Sequence, residues 1–175
     1  AEVDIEALPP GLTAVENEDD ADLVISNKLM NPERLVLHPA NLVIGIGCNR
    51  NTPVGEFEEA LGELFEKLSL SILSIRNIAS IDAKNDEEGL LLFAEKNGWH
   101  IDFFGSDEIN MVTDVDISYA ALKAVGAKGV AEPTALLSAN TTTLLSRKHK
   151  WQNITMAVAR APFTLSAQVL DHLNT

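Results

Sequence analysis

Between residues 42 and 104 one pattern occurs twice over: a short apolar run is followed by a stretch with helical spacing, and a further strand-like run closes the series. Leu42 to Ile46 is the first run, Ile75 to Ile81 the second, and His100 to Phe104 the third. A continuous apolar run of this length, as in the first, is expected of a strand covered on both faces, the situation in parallel sheets packed between helices. Strands connected through a helix form right-handed crossovers and lie side by side. This rhythm restricts the chain to an α/β architecture.

The intervening stretches carry helix signals. Thr52 is placed to cap the first helix, with Pro53 at its first position, where a missing N–H does no harm. Phe57, Leu61, Leu64, Phe65 and Leu68 then fall on one helical face, with Glu56, Glu59, Glu63 and Glu66 largely on the other. Asn85 and Glu88 make a capping-box-like start for a helix from Glu87 to Lys96, and Asn97-Gly98 closes it with left-handed geometry. Ser106-Asp107-Glu108 has the chemistry of another helix start, and further helices are expected near 117–125 and 132–139.

The segment "TTLLSRKHKWQNITMAVAR" changes character. Ile154, Met156 and Val158 alternate with Thr155, Ala157 and Ala159, as in a strand. Two strands joined by a polar turn, with "RKHK" (147–150) as that turn, add an antiparallel hairpin. The expected fold is a three-layer α/β/α domain over residues 41–161, with a mixed, mostly parallel sheet of about five strands. Residues 1–40 read as the truncated tail of a preceding region. In them Pro9-Pro10-Gly11 is a connector, 21–26 and 34–38 are short strands, and Asn31-Pro32 lies in the loop between. Residues 162–175 form a C-terminal tail, expected either to fold as a short amphipathic helix or to fray.

Charge narrows the partners. Eight acids and no base lie in residues 1–22, so most of the net charge of −13 sits at one end. This balance argues against nucleic acid or an anionic membrane, and the acidic block reads as a solvated surface. No apolar run approaches the roughly 20 residues of a membrane span. The acidic N-terminus lacks the basic region of a signal peptide, and the single cysteine fits a reducing, cytoplasmic setting.

Two strand ends carry the chemistry. At the first, "GIGCNRNTP" offers Gly45, Gly47, Cys48, Arg50 and Thr52. The third glycine of a dinucleotide fingerprint is missing. A glycine-rich turn at a helix N-terminus still favours the approach of an anion, and the alternative is a bare structural turn. Cys48 is read as an inert, partly buried thiol rather than a nucleophile, and Arg50 as a natural carboxylate clamp. At the second, "SIDAKNDEEGLL" brings Ser80, Asp82, Lys84 and Glu87 to the same edge if the strands are parallel neighbours. A local Asp82–Lys84 ion pair is the plainer alternative. The four histidines show no metal-ligand spacing, so no metal is assigned.

Together "LVIGIGCNRNTPVGEFEEAL", "IASIDAKNDEEGLLLFAEKNGW", "GVAEPTALLSA" and "ITMAVARAP" resemble, in order and spacing, the C-terminal domain of the CbiG/CobE family of cobalamin biosynthesis. The resemblance covers residues 41–161, and residues 1–40 resemble the region that precedes this domain in CbiG, the cobalt-precorrin-5A hydrolase. It implies a cobalt-precorrin substrate, a tetrapyrrole edged with acetate and propionate carboxylates. The implied reaction opens the ring-A lactone and releases acetaldehyde. The cobalt comes with the substrate and no further cofactor is implied; other enzymes of the pathway are possible partners.

On this reading Arg50, Lys84 and the turn amides anchor carboxylates, and Asp82 or Glu87 is the base for water attack on the lactone. The alternative is a non-catalytic corrinoid-binding or partner-docking module, with the chemistry carried elsewhere in the longer protein. A nucleotide-binding domain is a third reading, resting on the Gly-x-Gly alone.

Overall fold

The structure is a computed structural model and describes residues 4–5, 8, 11–30 and 35–165. In chain order the strands are β1 (Asp4–Ile5), β2 (Leu23–Ile25), β3 (Leu35–Leu37), β4 (Leu42–Cys48), β5 (Ile75–Ile81), β6 (His100–Phe104), β7 (Leu144–Lys150), β8 (Ile154–Arg160) and β9 (Thr164–Leu165). The α-helices are α1 (Val54–Leu68), α2 (Glu88–Asn97), α3 (Ser106–Met111), α4 (Tyr119–Val125) and α5 (Ala131–Ala139).

The central sheet has the order β6-β5-β4-β8-β7. Strands β4, β5 and β6 are parallel neighbours, while β8 runs antiparallel to both β4 and β7. Both faces of β4 are buried, as its unbroken apolar run requires. Leu42, Ile44 and Ile46 join Ile154, Met156 and Val158 in a core with Phe57, Leu61 and Phe65 of α1 and Leu90 and Phe93 of α2. Val43, Ala79 and Ala159 face the other way, against Ala135, Leu136 and Ala139 of α5. The result is helix, sheet and helix in three layers.

The two faces are packed differently. Beneath α5 the sheet presents small residues at one level: Gly45 is in register with Ala79 on β5 and with Ala157 on β8. A Cβ on Gly45 would overlap the Ala131 carbonyl oxygen and stand 2.8 Å from the Ala135 nitrogen. Gly45 thus lets α5 lie directly on the sheet.

Several local expectations change. Pro53, not Thr52, is the N-cap of α1; the Thr52 hydroxyl instead donates to Asn49 O at 2.9 Å, holding the turn before the helix. Asn85 belongs to a 3-10 turn and no side chain caps α2, so the capping box expected there does not form. Gly98 does close α2 in the left-handed region. "RKHK" is not the hairpin turn but the end of β7, and the turn lies at 151–153. Residues 23–25 and 35–37 form a separate parallel pair. It docks at the opposite end of the sheet from the motif loops, where Asn27 Nδ2 donates to Asn41 Oδ1 and Ser71 N–H to Asn27 O. Residues 9–10, 31–34 and 166–175, and with them the expected connector prolines, the Asn31-Pro32 loop and the tail helix, lie outside the described residues.

Candidate functional site

The loops after β4 and β5 lie side by side, because their strands are parallel neighbours and both run on into helices. Gly89 makes the contact possible: a Cβ there would overlap the Thr52 carbonyl oxygen. Asn51, at φ 59°, turns its N–H onto Glu87 Oε1. Arg50 bridges the loops, donating through Nη1 to Asp86 and through Nη2 to Ala83 O at 2.8 Å. The hydrogen bond from Arg50 holds the Asp86 carboxyl below its usual range, and Asp86 in turn raises Arg50. A third tie joins the β4 loop to the hairpin turn, where Asn49 N–H donates to Asn153 O.

Between these loops, α4, the first turn of α5 and the β7–β8 hairpin lies a cavity of about 570 Å³. It sits at the carboxyl ends of the parallel strands, where open α/β sheets bind ligands. Its size is within the usual range of roughly 300–1,000 Å³ for a small-molecule pocket. Gly47, Cys48, Arg50 and Lys84 line it, as do Lys148 and Lys150 from β7. Four cations therefore border one cavity in a chain with a net charge of −13.

These cations differ in what already holds them. Lys84, only 9% exposed at its side chain, lies 3.4 Å from Glu87 Oε2. Lys148 lies 3.6 Å from Asp116 on the loop before α4. The Lys150 ammonium makes no ion pair among the described residues. The two acids lining the cavity are Asp116 and Glu132, and Glu132 is buried. Its carboxylate accepts from the Asp116 N–H at 3.2 Å and from the Lys148 N–H at 3.0 Å. One side chain from the first turn of α5 thus fixes two walls.

Of the residues singled out in the sequence, several lie elsewhere. Gly45 is under α5, a packing position and not a ligand contact. Ser80 is fully buried and its hydroxyl donates to Ile46 O at 2.8 Å, which joins β5 to β4 and takes it out of any substrate contact. Thr52 is buried behind the turn it stabilises. Asp82 is exposed and outside the cavity lining, on the flank where Gly105 lies; the alternative of a local pair with Lys84 gives way to Lys84–Glu87. Glu87 is 3% exposed and its oxygens face the Asn51 N–H, Lys84 and Arg50, so it organises the loops and has no free edge for a water. Neither proposed base, Asp82 or Glu87, stands in the cavity.

Cys48 does border it, and burial pushes its thiol up to about 11. At neutral pH the thiol is protonated. Its alkylation at pH 7 is expected to be about a hundredfold slower than that of a free cysteine, rising as pH approaches 11. A timed iodoacetamide reaction followed by mass spectrometry checks this, and labelling at the rate of free cysteine would contradict it.

In the sequence Lys148 and Lys150 read as part of a solvated turn, and nothing there singles out Trp151, Asp116, Glu132 or the α4 residues. The available signal was the two-residue spacing of Lys148 and Lys150, which puts both on one side of a strand; Ser146 is not with them, because the register shifts between it and His149.

Fold and site together describe an open-sheet α/β domain with an anion-receptive cavity at its strand ends. Residues 42–159 match the family described as Cobalamin synthesis G C-terminus, and the chain belongs to that family. It is 34% identical over 158 residues to the cobalt-precorrin-5A hydrolase of Priestia megaterium; those residues are 86% of this chain and 42% of the relative. Among solved structures it resembles CobE, a protein from the cobalamin (vitamin B12) biosynthetic pathway. The TM-score is 0.64 and the identity 28%, over 70% of this chain and 91% of CobE. A cobalamin biosynthesis protein G homolog from Sulfolobus solfataricus shares the fold, with a TM-score of 0.58 and 24% identity over 91% of this chain and 51% of that one. Among the described residues no helix is long and apolar enough to cross a membrane.

Proposed function

We propose that this chain is the corrinoid-holding part of a cobalt-precorrin-5A hydrolase of cobalamin biosynthesis, working in the cytoplasm. The observation that carries this reading is the concentration of Arg50, Lys84, Lys148 and Lys150 around one cavity of an otherwise acidic protein. A ligand edged with several carboxylates suits four cations on separate elements, since each forms a charge-assisted hydrogen bond with a different group. Because the rest of the chain is acidic, the attraction is local and falls within a Debye length of about 8 Å at physiological salt. The relative's name supplies the substrate, and the cobalt arrives with it; the chain's own residues supply no further cofactor in this scheme.

The lactone opening itself needs a base. The acids lining the cavity are engaged, Asp116 with Lys148 and Glu132 with two backbone amides. The domain therefore anchors and orients the macrocycle, and the hydrolytic groups come from elsewhere in the assembled enzyme.

The test is to add cobalt-precorrin-5A to the purified chain, following quenching of tryptophan fluorescence and release of acetaldehyde. Saturable quenching without acetaldehyde is expected. Absence of binding would overturn the proposal, and acetaldehyde release would return catalysis to this chain.

Arg50 offers a second check. Arg50→Ala is expected to weaken corrinoid binding by about 1.5–3 kcal/mol. Melting should shift little, since its ion pair with Asp86 is exposed on both sides. Arg50→Lys is expected to be impaired as well, because lysine cannot bond Asp86 and Ala83 O in one plane. Unchanged affinity in Arg50→Ala, measured by the same fluorescence titration, would remove it from the site.

A further inference from the structure

The cations account for the rim of a ligand but not for the rest of the cavity wall. One side of that wall is α4, which has no buried residue of its own. Ala120, Ala121, Ala124 and Val125 line the cavity, and their spacing puts them on one helical face. Val130 and Ala131 of the α5 start continue the apolar surface. Helix α4 therefore turns a low, side-chain-poor face to the void, with the cations on the strand-end loops and β7. Among the lining residues the only soft metal donor is Cys48, and no histidine or methionine is present.

We propose that the cavity recognises a disc-shaped, multiply carboxylated macrocycle by its face and rim, with the disc against α4 and its carboxylates on Arg50, Lys84, Lys148 and Lys150, and that it does not read the metal at the ring's centre. The proposal rests on the corrinoid reading above for the choice of ligand and goes beyond it in saying what the site discriminates. A flexible aliphatic polycarboxylate satisfies the cations and leaves the α4 wall uncovered. A flat ring without carboxylates does the opposite. Only a ligand that does both uses the whole cavity. A ring lying against α4 meets only alanine and valine side chains there, so its central metal finds no donor on that wall.

Trp151 lines the cavity, so its fluorescence is the readout chosen for occupancy. The experiment titrates the chain with uroporphyrin (a metal-free octacarboxylate), its cobalt complex, and butane-1,2,3,4-tetracarboxylate. Ala121→Trp, which fills the space over α4, and Trp151→Phe, which removes the reporter, are run alongside. Expected are equal affinities for the two porphyrins within about threefold, an affinity for the tetracarboxylate lower by at least about thirtyfold, and a loss of at least about tenfold for uroporphyrin in Ala121→Trp at unchanged melting temperature. Tighter binding of the cobalt complex by about tenfold or more would show that the metal is read and overturn the proposal. Equal binding of the tetracarboxylate, or no effect of Ala121→Trp, would reduce the site to a cluster of cations and overturn it too.

The failures are separable. If cobalt-precorrin-5A binds but Ala121→Trp leaves that binding unchanged, the wall assignment fails and the corrinoid reading stands. If uroporphyrin behaves as expected and cobalt-precorrin-5A does not bind, the corrinoid reading fails and the recognition mode stands.

Discussion

Gly45→Ala is expected to destabilise the domain by about 3 kcal/mol or more, a large share of the roughly 5–15 kcal/mol that holds an ordinary domain folded. The added methyl has nowhere to go. It overlaps the Ala131 carbonyl oxygen, and the neighbouring Ala135 nitrogen is only 2.8 Å away. Both obstacles are helix backbone, so no rotamer change relieves the clash. Relief requires α5 to lift from the sheet, which opens the layer formed by Val43, Ala79, Ala135 and Ala159. Lifting α5 also displaces Glu132 and the two cavity walls it fixes. Gly62→Ala is the control, since its Cβ would meet nothing within 4 Å in the middle of α1. That substitution is expected to stabilise by about 0.5–1 kcal/mol, because glycine is a poor helix former. Urea unfolding of the three proteins decides the matter. Gly45→Ala within 1 kcal/mol of wild type would mean that α5 does not lie where the structure puts it.

The second large effect is on binding. The double substitution Lys148→Ala/Lys150→Ala is expected to weaken corrinoid binding by about 2–4 kcal/mol, roughly thirty- to a thousandfold. The cost falls on binding because neither lysine supports the core: Lys150 is exposed and Lys148 pairs only with Asp116, 64% exposed at its side chain. Thermal melting is therefore expected to stay close to wild type. Affinity should also fall with added salt in the wild type, and less steeply in the double variant. Fluorescence titration at two salt concentrations measures both quantities. Affinity unchanged within threefold would exclude the β7 wall from the site.

The layered fold was legible because burial on both sides leaves an unbroken apolar run, and Leu42 to Ile46 is one. The juxtaposition of the two motif loops was legible too, since a right-handed crossover makes β4 and β5 neighbours. What each residue in those loops does was less so. Ser80 and Gly45 sit at strand positions whose neighbours across the sheet are non-local, and neither the Ile46 carbonyl nor the α5 backbone is visible from their sequence context. Glu87 belongs to a three-donor network assembled from residues 50, 51 and 84. A carboxylate surrounded in this way holds a loop, whereas in sequence it resembles any acid near a helix start. "RKHK" misled for a different reason. A run of charge reads as a turn, but an edge strand also carries charge on its exposed positions. Here that edge supplies half of the cavity's cations.

If the corrinoid occupies the strand-end cavity, its place of binding can be read residue by residue. An amide shift map of the labelled chain, recorded while cobalt-precorrin-5A is added, reports each position separately. Progressive changes are expected at residues 47–50, 83–84, 117–125, 129–131 and 148–155, with residues 26–28 and 70–74 at the far end of the sheet unmoved. Changes centred on that far end, with the amides of Lys84 and Lys148 to Lys150 silent, would contradict that occupancy.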